Sequence, residues 1–321
     1  MVQIEHIEFS SFAAKFSNKP FEVTDAWVKY QTAKGNKPKF FVDSKSQPQI
    51  LCWARAKNIK FLGEVLDVQG PIFDKSVTTK QLHKFLDKIK KLPYKGVFIN
   101  LSTEYNVIFE VACRKAMFKR PIGQSNTSLT ILVNTNDFNP DRNWRRNLKK
   151  SQNVSFQFEI KQNVSLDDCR IIERLHAENS KIKNLGYLLK TEHVHELVKA
   201  NNMHVCFLYK NEQPIAGRII SIEDSISYDV YACNSFESRN NGATQFLMQS
   251  IFEYLKSNGI KYFDFSRIPL GKEGASGVYD FKNSTRGNVV QYNGEWVYFK
   301  NKKLRHLYYL YNLVVNKKDF Y

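Results

Sequence analysis

Phe281, Lys282 and Arg286 stand with the small hydroxyls of Ser284 and Thr285 in the stretch FKNSTRG, residues 281–287. A hairpin turn needs no such concentration of cations and hydroxyls, so these side chains are expected to line the mouth of the sheet built by the segments around them. The stretch IKYFDFSR, residues 260–267, ends an apolar strand with Asp264, Ser266 and Arg267. Open α/β sheets bind ligands at the carboxyl ends of their strands. A carboxylate there, Asp264, can take the proton of an attacking amine if the two come within hydrogen-bond reach. Pairing with Arg267 or Lys282 is the structural alternative for the same carboxylate.

The second chemical signal is anion binding. In SRNNGATQFLMQS, residues 238–250, Arg239, Asn240, Gly242 and Thr244 precede and open a helix. The first backbone N–H groups of a helix lack internal partners and its dipole favours negative charge. The order Arg239-x-x-Gly242-x-Thr244 resembles the pyrophosphate-binding turn of the GCN5-related N-acetyltransferases, with Thr244 where that pattern has Gly or Ala. A plain turn before a helix is the alternative. Arg145, Arg146, Lys149 and Lys150 form a further basic cluster on a helix, suited to phosphate or to solvent. No Cys–His or Ser–His arrangement stands out, so direct transfer governed by positioning is expected rather than a covalent intermediate.

The elements that must position these residues alternate strand and helix, the pattern of an α/β protein. LHKFLDKIKKLPYKGVFINLS, residues 82–102, and FLMQSIFEYLKSNGIKYFDFS, residues 246–266, share the order amphipathic helix, glycine break, apolar strand, serine. They lie about half the chain apart, and a duplicated α/β domain is the simplest explanation. The halves are expected as residues 1–145 and 146–321, with the C-terminal aromatic helix of residues 301–321 packed on the second through Leu304, Leu307, Tyr308 and Tyr311. LDVQGPIFD, residues 66–74, is expected as a strand stopped at Gly-Pro, and SLTILVNT, residues 128–135, as a β-branched strand. Residues 204–233 read as three antiparallel strands. A meander, then a helix, then a strand is the order of an acyltransferase core.

Composition narrows the partners. The 321 residues carry 48 Lys and Arg against 31 Asp and Glu, a formal net charge of +17, which suits a polyanionic partner or, equally, a solubilising basic surface. Hydrophobic residues at 42% supply a packed core and exclude a disordered chain. Five scattered cysteines without a C-x-x-C pair suit neither a disulfide framework nor a zinc site, and no metal is expected. MVQIEHIEFSSF lacks the pattern of a secretory leader, and no apolar run is long enough to span a bilayer. A soluble, cytoplasmic protein is the expectation, with the basic-ended C-terminal helix able to rest on the inner membrane face.

Taken in order, the segments resemble the Fem family (FemABX) of peptidoglycan interpeptide-bridge aminoacyltransferases over almost the whole chain. GPIFD is similar to that family's G-P-hydrophobic-x-D turn, and WRRNLKKSQNVSF to its R-x-N-hydrophobic-R/K-K-A helix start. YDVYACNS and IKYFDFS follow in family order. GVYDFKNSTRGNVVQYNGEW resembles the closing G-x-x-x-F-K-x-x-F-G-G segment, with Thr285, Arg286 and Gly287 where the family often has Phe-Gly-Gly. No heptad run for a helical arm is present, so arm-less, FemX-like members are the closer match.

The resemblance implies two tandem GNAT-like domains with mixed sheets flanked by helices, and transfer of an amino acid from aminoacyl-tRNA to an amine of a cell-envelope precursor. It implies no cofactor. Lys282 would sit against the developing oxyanion or adjoining phosphates. Phe281, Arg286, Ser266, Lys181 and Lys183 become candidates for binding substrate, and Lys282→Met is expected to abolish turnover with little effect on folding. Two rivals remain: an acetyl-CoA-dependent N-acyltransferase of a surface polymer, and an RNA-binding protein without catalysis, which lacks an aromatic platform in this sequence.

Overall fold

Short β-branched and aromatic strands alternate with amphipathic helices along the chain, and the helices bury apolar residues on the sheets and on one another. The computed structural model describes residues 1–17, 19–121, 129–183, 186–239, 241–268 and 276–314. In chain order the elements are β1 (Val2–Ile4), α1 (His6–Ala13), α2 (Asp25–Ala33), β2 (Lys39–Val42), β3 (Ile50–Ile59), β4 (Gly63–Phe73), α3 (Thr79–Lys90), β5 (Gly96–Glu104), α4 (Val107–Lys115), β6 (Leu129–Asn134), α5 (Arg142–Ser151) and β7 (Phe156–Lys161). They continue with α6 (Leu166–Lys183), α7 (Thr191–Val198), β8 (Met203–Lys210), β9 (Gln213–Glu223), β10 (Ile226–Asn234), α8 (Ala243–Ser257), β11 (Tyr262–Asp264), α9 (Ser276–Asn283), β12 (Asn288–Phe299) and α10 (Lys302–Val314).

Two units share one design. In the first the strand order is β1-β2-β3-β4-β5-β12, and its one parallel neighbour pair is β4–β5. In the second the order is β7-β8-β9-β10-β11-β6, with β10–β11 parallel. A parallel pair requires a crossover connection, supplied by α3 in the first unit and α8 in the second. The helix–glycine–strand repeat seen in the sequence is this crossover, once per unit. Residues 204–233 form the antiparallel meander β8–β9–β10 as expected.

The units exchange pieces of chain. One comprises Met1–Thr24, Gly35–Leu129 and Gln291–Tyr321, the other Asp25–Lys34 and Thr130–Val290. A cut between residues 145 and 146 misses this in three ways. β6 pairs antiparallel with β11 in the second unit, and β12 pairs with β5 in the first. The early helix α2 belongs to the second unit, where Ala26 and Tyr30 enter a core with Cys169, Ile172, Leu175, Leu197, Phe207 and Ile219. Pairing of a strand edge accounts for the two strand exchanges, because an uncovered edge leaves backbone N–H and C=O groups without partners, and burial of Ala26 and Tyr30 accounts for that of α2.

Local sequence explains the crossovers. Thr78 and Gln81 form a reciprocal capping box at the start of α3, whose buried residues Leu82, Phe85, Leu86 and Ile89 make one stripe. In α8 the stripe is Leu247, Met248, Ile251, Phe252 and Leu255. Burying each such side chain contributes ~1.5–3 kcal/mol, which helices of this length need because they are marginal alone.

Two expectations are corrected. β4 does not stop at Gly70-Pro71 but runs to Phe73; β3 shifts register between Leu51 and Trp53 opposite this point, so the ladder passes around the missing proline donor. The C-terminal helix belongs to the first unit. Tyr308 of α10 packs on Phe98 and Phe299 with Leu62 and Val297, because β12 has already led the chain to that sheet, and Leu307 is exposed. Residues 315–321 lie outside the described residues. Among the described residues no helix is long and apolar enough to cross a membrane.

Candidate active site

The second unit gathers its charge where two parallel strands separate. Ile226–Tyr228 of β10 pair with Tyr262–Asp264 of β11, after which β11 ends while β10 continues to Asn234 along β9. The register of β10 against β9 shifts between Asp229 and Tyr231. A bulge there re-aims the side chains just past the last paired residue.

The chain leaves β11 through a turn in which Ser266 (φ 46°) and Arg267 (φ 68°) are both left-handed, a conformation that non-glycine residues rarely adopt. Both proposed catalytic side chains hold this turn. Asp264, 4% exposed, accepts hydrogen bonds at one carboxylate oxygen from the Ser266 N–H (2.7 Å) and the Thr130 hydroxyl (2.5 Å). Lys282, at the end of α9, donates to the carbonyls of Phe265 (2.7 Å), Arg267 (2.6 Å) and, more distantly, Ser266 (3.4 Å). Lys282 is thus 8% exposed and surrounded by acceptors. Burial lowers its pKa to about 8, with Asp229 and Asp264 supporting the ammonium and Arg218 and Lys183 opposing it. Ser266 contributes its backbone to the turn, while its hydroxyl oxygen is buried without a hydrogen-bond partner.

Sequence reasoning missed the ion pair beside this turn. Arg218 of β9 and Asp229 of β10 form a salt bridge whose side chains are 4% and 8% exposed. The Arg218 Nε and the Asp229 Oδ1 are buried and have no hydrogen-bond partner, as does the Asn234 Oδ1 at the end of β10. A buried pair of this kind is costly to assemble, and unsatisfied polar atoms inside a protein call for an explanation, of which a catalytic role is one. The available signal was a charge inside each of two apolar strands, IAGRIIS and SYDVYAC.

Aromatic packing fixes α9. Phe281 lies over Trp144 at 5.0 Å and meets Phe265 edge-on at 6.2 Å, and Trp144–Phe138, Phe138–Phe252 and Phe252–Phe265 contacts close a ring of five side chains. Phe281, half-buried in this ring, anchors the segment that carries Lys282. The Asp141 N–H donates to the Ser284 carbonyl at 2.9 Å and joins the start of α5 to the same segment.

The remaining candidates scatter. Lys181 is exposed on α6. Lys183, at the end of α6, is exposed at the surface, yet partial desolvation and the Arg218 and Arg239 guanidiniums nearby hold its ammonium below the ordinary lysine range. Arg239 is exposed at the end of a short turn of helix, Asn240 lies outside the described residues, and Thr244 is half-buried in the first turn of α8. Arg286 (φ 58°) is exposed and lines a cavity with α5.

Gly242 caps α8 in the left-handed region (φ 77°). A Cβ at this residue would stand 2.1 Å from the Asn147 carbonyl oxygen and 3.1 Å from the Ser151 nitrogen, both backbone atoms of α5. A pyrophosphate cradle needs the bare side of its glycine open to ligand. Here α5 fills that side, and the Ala243 N–H is taken by the Asn241 side chain at 3.2 Å. These residues do not fit a coenzyme A pyrophosphate on that face of the helix start. The glycine serves helix packing, so Gly242→Ala is expected to lower stability by more than the ~1–3 kcal/mol of a strained backbone alone. Thermal melting checks this, and an unchanged midpoint would show that α5 does not press on the site.

No protein-family model matches the chain, and no curated protein matches it. Its fold is nonetheless found among solved structures. The crystal structure of FemX superposes with a TM-score of 0.77 at 13% identity, covering 96% of this chain and 99% of that one. L-PGS from Bacillus licheniformis gives a TM-score of 0.66 at 14% identity, with 98% and 97% covered. A tandem GNAT protein from the clavulanic acid biosynthesis pathway gives 0.55 at 6% identity, with 92% and 94% covered. The chain has a Fem-like tandem GNAT fold, an α/β architecture of mixed sheets flanked by helices.

Proposed function

We propose that the second unit transfers an aminoacyl group from its ester on tRNA to an amine of a cell-envelope precursor. The observation that carries this reading is the convergence of Lys282, Asp264 and the Arg218–Asp229 pair where β10 and β11 part. Support comes from the Fem-like order of sequence motifs, from the fold shared with FemX along nearly the whole chain, and from the net charge of +17.

In this mechanism the neutral amine attacks the ester carbonyl and a tetrahedral oxyanion forms. The Lys282 ammonium stabilises it by exchanging its longest contact, to the Ser266 carbonyl at 3.4 Å, for the new negative charge. The free Asp229 oxygen accepts the proton released by the amine as the amide bond forms, and the Arg218 guanidinium, bonded to the other oxygen, orients that carboxylate. The carbon–oxygen bond to the terminal ribose breaks, and the leaving oxygen takes up the proton that Asp229 accepted, which returns Asp229 to its carboxylate form. Asp264 acts by holding the 265–267 turn in place.

The pH dependence follows from Lys282. With a pKa near 8 the side chain is charged at neutral pH and loses its proton as pH rises through that value, so single-turnover rates should show a descending limb near pH 8. In Lys282→Arg, whose guanidinium stays protonated, the limb should disappear from this range. A limb that persists in the variant assigns the titration to another group.

Mass spectrometry of cell-envelope precursors from a strain lacking the gene tests the biological reaction. Precursors one amino acid lighter support the proposal. A difference of an acetyl group favours a coenzyme A-dependent enzyme, and unchanged precursors contradict both.

A further inference from the structure

A cavity of about 590 Å³ in the second unit is lined by Asp141, Arg142, Asn143, Arg146 and Arg286. We propose that this cavity binds the phosphodiester backbone of RNA, at a site separate from the buried catalytic charges; the assignment rests on the tRNA donor proposed above.

Three guanidiniums converge there from two elements. Arg142 and Arg146 are exposed on the first turns of α5, and Arg286 arrives from the turn after α9. The one carboxylate in the lining is engaged locally, since the Asp141 side chain accepts the Trp144 N–H at 2.7 Å as the helix cap. Asn143 accepts from Arg146 at 2.8 Å and orients that guanidinium. The position of Arg286 is also determined by structure. Its backbone is left-handed, its N–H donates to the Asn283 carbonyl at 2.9 Å, and the next residue, Gly287, lies so close to β6 that a Cβ would stand 2.8 Å from the Leu132 carbonyl.

Like charges held together repel, and a ligand with several phosphates relieves that repulsion with paired hydrogen bonds that suit the guanidinium fork. Exposed Arg145, Lys149 and Lys150 carry the positive charge further along α5. Further exposed basic side chains on the same helix fit a chain of phosphates better than a single phosphate group. Arg286, a candidate for binding substrate, is thereby assigned to the RNA.

The test uses the full-length protein and deacylated tRNA, so that binding is read without catalysis. Affinity is measured from 50 to 300 mM salt, on the order of the range over which phosphate contacts are lost. In the triple variant Arg142→Ala/Arg146→Ala/Arg286→Ala, affinity at low salt should fall at least ~10-fold and the slope of log K against log salt should lessen by roughly 2, as expected for lost phosphate contacts. Arg286→Lys should retain most of the slope but bind more weakly. Circular dichroism melting verifies that the variants are folded. Unchanged tRNA affinity and slope in a folded triple variant overturn the site. So does a variant that keeps tRNA binding but loses binding to vesicles of phosphatidylglycerol and phosphatidylcholine, which would assign the arginines to lipid phosphate. If tRNA binding depends on the arginines while no aminoacyl group is transferred, the site stands and the proposed reaction fails.

Discussion

Lys282→Met is expected to reduce turnover by ~100- to 1,000-fold, the usual cost of losing one placed oxyanion donor. The same substitution is also expected to lower the melting temperature, which differs from the mild folding effect anticipated from sequence. The ammonium donates to three backbone carbonyls of the turn after β11. Methionine fills similar space but leaves these acceptors without a donor, at ~1–3 kcal/mol for each buried group left unpaired. Part of that loss is offset because the buried ammonium itself is costly. A folded-state pKa of about 8, against 10.5 ordinarily, means that the unfolded chain binds more protons between those values. The stability of the native protein should therefore rise with pH through this window, and the rise should be absent in the methionine variant. Steady-state kinetics with urea titrations at pH 7 and pH 9.5 separate the two effects. Full activity in the variant would remove Lys282 from the reaction.

Breaking the buried ion pair should have the largest effect on folding. Arg218→Met leaves the Asp229 carboxylate buried between strands without its counter-charge, a change that costs ~3–5 kcal/mol when the surviving partner is fully desolvated. The double variant Arg218→Met/Asp229→Leu should recover most of that stability, because two apolar side chains can replace a buried pair at little net cost. It should recover no activity, since the free carboxylate oxygen is gone. Urea denaturation midpoints and turnover in the two variants check this. A loss below about 1 kcal/mol in the single variant, the magnitude of an exposed pair, would show that water reaches the site.

Local patterning made much of the fold legible. The helix–glycine–strand repeat predicted both crossovers, and the alternation of residues 204–233 predicted the meander, because each depends on hydrophobic period and turn residues within one segment. The exchanged elements were not legible. Whether β6 closes the sheet containing β5 or that containing β11 depends on which edge is free, a property of the assembled chain and not of SLTILVNT itself. The same holds for α2, whose Tyr30 meets Tyr231 from the far end of the sequence (O···O 3.0 Å).

The candidate site was legible in part. Lys282 and Asp264 were recognised as chemically unusual, and the structure brings both to one turn, although by holding its backbone. Arg218 and Asp229 were overlooked because a charge within an apolar strand reads as an edge or an error until its partner is seen on the neighbouring strand. The Arg239–Thr244 loop reads either as a cradle for phosphate or as a plain turn before a helix. The bare side of Gly242 admits the backbone of α5, a contact that no local pattern encodes.

The most direct test of amide formation at this site is the intact mass of an amine-bearing envelope precursor after a single turnover with the purified protein. Aminoacyl-tRNA and acetyl-CoA are supplied in separate reactions. The account predicts a product heavier by one aminoacyl residue with charged tRNA, none with acetyl-CoA, and none with either donor for Asp229→Asn. An acetylated product, or undiminished aminoacyl transfer by Asp229→Asn, would contradict it.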